Sequence, residues 1–214
     1  MKISGGITER GVIIGNTYDK YGSRNPVVRW IMRAFESALS ALIAQVNPCS
    51  IHEVGCGEGY WVLRWTEQGI AARGSDFSAK VIELAQSNAM DRGVSPNLFK
   101  ACSIYDLVPE HDAAHLVVCC EVLEHLERPE DGLRALQSVA NPYLIISVPC
   151  EPLWSVLNMA RGKYLSEFGN TPGHLQRWSQ KEFIRLVSKY FEVLEVRSPI
   201  PWSMMLCRRS GTKV

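Results

Sequence analysis

The sequence predicts an α/β domain, a doubly wound, mostly parallel sheet of seven strands covered by helices on both faces. Three observations predict it. Short β-branched runs alternate with helical ones through the middle of the chain. A glycine-rich turn joins the first of these runs to the helix after it. The 214 residues, 46% of them apolar, fit one α/β domain with additions better than two domains.

Residues 1–24 are rich in glycine, tyrosine and charge, show no period, and read as a loosely ordered arm. Asn25-Pro26 opens a helix with proline in its first turn. Val27, Val28, Ile31, Met32, Phe35, Leu39, Leu42 and Ile43 recur at helical spacing until Asn47-Pro48 stops the pattern. Residues 1–48 therefore form an N-terminal arm and helix ahead of a core over 49–214.

In that core Ile51–Val54 is a strand, and a helix carrying Trp61, Val62, Leu63 and Trp65 follows the glycine turn. Residues 70–74 form a second strand, and Ser78 caps a helix with Val81, Ile82, Leu84 and Ala85 on its apolar face. Residues 97–101 and 116–120 are the third and fourth strands, 129–140 a helix, and 144–148 a fully apolar fifth strand. Ser179 caps a last helix through Tyr190, and 191–196 with 204–208 make a terminal antiparallel pair. The irregular stretch 149–178 follows the fifth strand at the edge where such sheets bind ligands, the place for a lid or acceptor pocket.

Composition narrows the function. With 21% charged residues and net charge +1, the chain is neither disordered nor a general polyanion binder, and the absence of a basic run argues against nucleic acid. Seven cysteines without a Cys-x-x-Cys pair, no hydrophobic signal core at the start and no membrane-length apolar run point to reduced thiols in a cytoplasmic protein.

The local chemistry centres on Glu53-Val-Gly55-Cys-Gly57-Glu-Gly59. A nicotinamide fingerprint presents a helix start to a pyrophosphate, and its third glycine falls one residue later than Gly59. Glu53, ahead of the first glycine, would repel a pyrophosphate and suits a cation. S-adenosylmethionine offers a sulfonium and an ammonium and no phosphate. Asp76 ends the second strand, where a carboxylate can accept both ribose hydroxyls, and Phe77 can pack on an adenine.

Together these motifs resemble the class I S-adenosylmethionine-dependent methyltransferases, in the subgroup of the ubiquinone-pathway O-methyltransferases. Glu53–Gly59 matches their first motif and Asp76 their ribose-binding acid. Ser103-Ile104-Tyr-Asp106 is similar to the adenine-side motif, the run from Leu116 to Pro129 to the fourth-strand motif, and Leu144–Pro149 to the fifth. The resemblance implies a Rossmann-like fold, S-adenosylmethionine as cofactor and S-adenosylhomocysteine as product. It also implies cofactor contacts from Glu53, Gly55, Gly57, Gly59, Asp76, Phe77, Ser103, Ile104 and Glu121. Two departures stand out: Ser103 where the family usually has an acid, and His115 where an Asp commonly opens the fourth strand.

Methyl transfer is an in-line displacement, so the protein aligns the partners and removes a proton when needed. Glu121, Glu124 and His125 follow the fourth strand, and His174 precedes the Ser179 cap. His174, Glu121 and His125 are the catalytic candidates, with His174 titrating near neutrality as the proton acceptor or else ordering the lid. In some relatives the Glu-x-x-Glu-His pattern resembles a divalent-cation site; the simpler alternative is loop ordering, and no metal ligand is assigned. Trp154, Trp178 and Trp202 can stack a planar acceptor or pack the core, and Tyr18 and Tyr21 lie on an arm that can close over the cofactor. The favoured acceptor is an oxygen or nitrogen of a small metabolite. An RNA or protein acceptor, or a cofactor-binding module without activity, is the alternative. Asn141-Pro-Tyr143 lacks a proline of the DNA amino-methyltransferase motif and precedes the wrong strand for it.

Overall fold

The computed structural model describes residues 1–9, 12–160, 168, 171 and 173–210. Two short strands, β1 (Thr8–Glu9) and β2 (Val12–Ile13), pair antiparallel in the arm, ahead of the helix α1 (Pro26–Val46). Asn25 accepts from the Val27 amide at 2.9 Å to start α1, and left-handed Asn47 ends it. Its buried stripe of Phe35, Ala38, Leu39, Leu42 and Ile43 has the predicted period.

β3 (Ile51–Val54), α2 (Tyr60–Glu67), β4 (Ala72–Asp76), α3 (Ala79–Asp91) and β5 (Phe99–Ala101) wind outward in one direction. α4 (Pro109–Asp112), β6 (Ala114–Cys120), α5 (Pro129–Val139) and β7 (Ala140–Pro149) wind in the other. α6 (Leu153–Ala160), α7 (Gln180–Val187), β8 (Phe191–Arg197) and β9 (Trp202–Arg209) complete the described chain. The sheet has seven strands in the order β5-β4-β3-β6-β7-β9-β8, parallel except at β9. Strand order reverses between β3 and β6, which opens a crevice at their carboxyl ends.

Strand alternation divides the core between the two faces. On β6, Leu116 and Val118 join the cluster under α1 and α2, while Val117 and Cys119 join the one under α5 and α7. Met204 and Leu206 of β9 pack with the first cluster, and Met205 and Cys207 with the second. Burial on both faces explains why the central strands read as continuous apolar runs.

Several boundaries differ from the sequence expectation. β4 begins two residues after the expected Ile70, because the Ile70 amide still donates to Trp65 at the end of α2, at 2.9 Å. β5 is short because Ser95 and Pro96 start a 3-10 turn over Pro96–Leu98. The Ser179 helix ends at Val187, before Tyr190. The arm is docked rather than loose: Ser4 and Ile14 are buried against the core. The stretch expected to be irregular holds α6, and its residues 161–167, 169–170 and 172 lie outside the described ones. Among the described residues no helix is long and apolar enough to cross a membrane.

Candidate active site

The turn after β3 is hooked onto β4. The Gly55 and Cys56 amides both donate to the Ser75 carbonyl, at 2.7 and 3.0 Å. The Gly57 amide donates to Asp76 Oδ2 at 3.1 Å, and the Ser78 amide to Oδ1 at 3.0 Å. Asp76 is thereby fixed at the strand end with acceptor capacity to spare. Burial raises its pKa, against the lowering effect of those two amides. A Cβ on Gly59 would lie 2.6 Å from the Phe99 ring, and one on Gly55 would strike Val122. At Gly57, φ is 52° and a Cβ would meet nothing within 4 Å, so this glycine faces open space. Phe77 is half exposed next to Asp76.

Three carboxylates gather at the carboxyl ends of β3 and β6, Glu53 and Glu124 buried and Glu121 partly so. Glu53 is 5% exposed, its Oε2 has no hydrogen-bond partner, and burial pushes its pKa well above the usual carboxylate range. Glu121 has a left-handed φ of 60°, a conformation worth its strain mainly at functional positions. Its Oε2 accepts from Trp202 Nε1 at 2.5 Å and its Oε1 from Ser147 Oγ at 3.2 Å. Burial raises its pKa to about 7. Glu124 sits on the 3-10 turn Leu123–His125, 2% exposed, with neither carboxylate oxygen hydrogen-bonded. Burial and then the Glu121 charge push its pKa well up.

The chain at residues 173–176 returns to this turn. The Glu124 carbonyl accepts from the Leu175 and Gln176 amides at 2.8 and 2.9 Å. His125 Nδ1 donates to the Gly173 carbonyl at 2.9 Å, a bond that leaves the lone pair on Nε2. The His174 ring lies edge-on to His125, centroids 4.9 Å apart, and stacks on Trp154 at 6.0 Å. Where the sequence had His174 either titrating near neutrality or ordering the lid, burial, His125 and Arg177 lower its pKa to about 4. Glu121 is the candidate that titrates near 7.

Glu124, His125 and His174 each offer one donor atom, all within 4.8 Å of one another. The sequence had grouped Glu121 with Glu124 and His125 instead; Glu121 is engaged by Trp202 and Ser147, and His174 takes its place. Two imidazoles and an unpartnered carboxylate fit a divalent cation of intermediate hardness.

Other expected residues divide. Ser103 follows β5 and caps the turn Ile104–Asp106, but the Ile104 side chain packs into the core. Trp202 and Trp154 lie 6.0 Å apart beside the acids, whereas Trp178 stacks on Phe183 of the core. Sequence reasoning missed Glu58 and Ser147. Glu58 is 1% exposed and receives the amides of Ser4 and Asn16. Its only signal is its place between Gly57 and Gly59.

A family profile described as a methyltransferase domain matches residues 51–143. A ubiquinone biosynthesis O-methyltransferase from Chromobacterium violaceum is 32% identical over 100 residues, 46% of this chain and 43% of that protein. The one from Cupriavidus pinatubonensis is 25% identical over 160 residues, 68% of this chain and 64% of that protein. The chain thus spans about half the length of these curated relatives. Among solved structures, magnesium protoporphyrin IX methyltransferase from Synechocystis with bound S-adenosylhomocysteine superposes with a TM-score of 0.66. It is 19% identical, over 88% of this chain and 90% of that one. The arrangement of sheet and helices is therefore shared with that enzyme.

Proposed function

We propose that this chain transfers a methyl group from S-adenosylmethionine to a small-molecule acceptor, a reading supported by the match of residues 51–143 to a methyltransferase-domain profile and by the likeness to O-methyltransferase relatives. The finer reading is an oxygen or nitrogen acceptor, with S-adenosylhomocysteine as product. The names of the relatives, O-methyltransferases of ubiquinone biosynthesis, favour oxygen.

One observation carries the cofactor reading: an unpartnered buried carboxylate, Glu53, stands one strand away from a clasped one, Asp76, with the open face of Gly57 between. That arrangement suits a cationic nucleoside, whose charge would draw the raised Glu53 back to its ionised form, better than a phosphate. In this reading Asp76 takes the ribose hydroxyls, Glu53 the ammonium of the amino-acid tail, and Phe77 the adenine. Ser103 and the Ile104 backbone border the base, and Gly55 and Gly59 hold the turn.

The sulfonium already activates the methyl carbon, so alignment is the main task. Glu121, with a pKa of about 7, is the group suited to take the acceptor's proton. His125 and His174 line the acceptor side as neutral hydrogen-bonding rings. A cation on Glu124, His125 and His174 would add Lewis acidity toward an acceptor oxygen. The seven free cysteines suit a cytoplasmic setting.

Calorimetry with S-adenosylmethionine, S-adenosylhomocysteine and NAD tests the reading. Both sulfur nucleosides are expected to bind and NAD is not; the reverse preference would sink it.

A further inference from the structure

The helix α6 is built inside out. Ser155 and Asn158 are buried, Ser155 Oγ donating to Glu151 Oε1 at 2.9 Å and Asn158 Nδ2 to Thr171 Oγ1 at 3.2 Å. Leu153, Val156 and Met159 recur every third residue and face outward, and Val156 is 51% exposed. A helix laid on a wet surface does the reverse, so this apolar stripe marks a contact. No charged residue interrupts α6. Leu175, next to the His174 ring that stacks on Trp154, is exposed as well.

α1 begins with a second such face. Val27 is 62% exposed and Trp30, one turn on, 60%. Arg33 continues that row, and Arg24 and Arg29 flank it, all three exposed. No acid occurs between Lys20 and Phe35, and the next one, Glu36, is taken by Arg64 at 2.5 Å. The two faces belong to one rim. Trp202 meets Phe35 of α1 edge-on, centroids 4.9 Å apart, lies 6.0 Å from Trp154 of α6, and donates to Glu121. Both helices therefore flank the carboxyl edge of the sheet, where the acids gather.

We propose that this rim docks on an anionic lipid surface, with the apolar side chains of α6 and of the start of α1 at the headgroup boundary and the arginines on lipid phosphates. Tryptophan and aliphatic side chains beside arginines are the pattern of helices that lie in a bilayer interface. Arginines held near anionic headgroups strengthen such binding, and salt weakens their share. α6 lies on the bilayer rather than across it: its 8 residues reach about 12 Å, against a hydrocarbon core of about 30 Å. A single-stranded RNA would engage the arginines and Trp30, but the aliphatic stripe of α6 gives its bases no ring to stack on. Lipid thus fits both faces and RNA only one. The docked rim turns the acceptor side of the cleft toward the membrane. Lipid contact needs no cofactor, so it stands independently of the methyl-transfer reading.

The test is sedimentation of the full chain with vesicles of phosphatidylcholine alone and of phosphatidylcholine with phosphatidylglycerol at about 3:1. The mixed vesicles are expected to bind the protein, less so as salt rises, and the neutral ones at least about tenfold more weakly. Val156→Ser with Met159→Ser, and separately Arg29→Gln with Arg33→Gln, are each expected to weaken binding about tenfold. All four residues are exposed, so urea unfolding is expected to match the wild type. Leu194→Ser, at an exposed aliphatic of the edge strand β8, is expected to bind as the wild type does. No binding to the mixed vesicles overturns the proposal, as do equal binding to both vesicle types, full binding by the paired variants, or an equal loss in Leu194→Ser. Salt-sensitive binding of a uridine oligonucleotide, lost in the arginine variant while vesicles stay unbound, would assign the face to RNA instead.

Discussion

Asp76 and Glu121 illustrate how differently two acids at one sheet edge can be prepared. Asp76 receives backbone amides at both oxygens, so its orientation is set before any ligand arrives. Replacing it with Asn turns one acceptor into a donor facing the ribose hydroxyls. The expected result for Asp76→Asn is a loss of about 1.5–3 kcal/mol of cofactor binding, roughly ten- to a hundredfold in Kd. Unchanged affinity by calorimetry would withdraw the ribose assignment. Glu121 is held by Trp202 and Ser147 but pushed up to about 7 by burial. A base must be ionised to act, so kcat/KM is expected to rise with pH through about 7 and level off above it. Glu121→Gln should abolish that rise and lower the rate about 10²–10⁴-fold. A persisting limb at the same pH would pass the proton to another group, and His174, near 4, could not supply it.

At the scale of elements, the turn between β3 and α2 separates two duties of glycine. Gly59→Ala would press a methyl onto the Phe99 ring, so it is expected to destabilise the fold. Gly57→Ala meets open space, and its left-handed φ of 52° costs about 1–2 kcal/mol. Denaturant unfolding paired with calorimetry distinguishes them: Gly57→Ala should lose cofactor affinity beyond its stability loss, because its methyl enters the ligand's space. Full affinity in that variant would place the ligand elsewhere. This turn was legible in the sequence, since a strand, a glycine cluster and a helix follow each other within a few residues. So were β6 and β7, whose apolar runs are buried on both faces. The helix α6 was hidden by the prolines and glycines around it, although Pro152 directly precedes its first residue, where proline favours a helix start. The arm's docking was not legible, because Glu58 meets Ser4 and Asn16 across 54 and 42 residues of chain. His174 joined Glu124 and His125 for the same reason: only the lid's return path brings it there.

For the whole molecule, the acids at the carboxyl edge and the neutral histidines elsewhere draw stability in opposite directions with pH. Glu121 is raised from 4.5 toward 7, so as pH rises across that interval the unfolded chain gives up a proton that the fold keeps, which works against the ligand-free fold and levels off above about 7. His52 does the reverse. It is 1% exposed on β3, with Nδ1 donating to the Asp112 carbonyl at 2.8 Å and Nε2 accepting from Ser75 Oγ at 2.9 Å. The ring thus ties β3 to β4 and to the end of α4, and its neutral tautomer satisfies both partners. Burial lowers its pKa from 6.5 to about 4, so the unfolded chain binds a proton that the folded one refuses. Its contribution is complete above pH 6.5 and is lost as pH falls toward 4, an amount on the order of 3 kcal/mol. His52→Asn keeps a polar side chain in place and removes the titration. Urea unfolding at pH about 7 and about 4.5 should show a smaller loss of stability on acidification for the variant than for the wild type. Equal losses would mean that His52 is already protonated in the folded protein, or that water reaches it, and that the acid sensitivity of the sheet arises at the carboxylates instead.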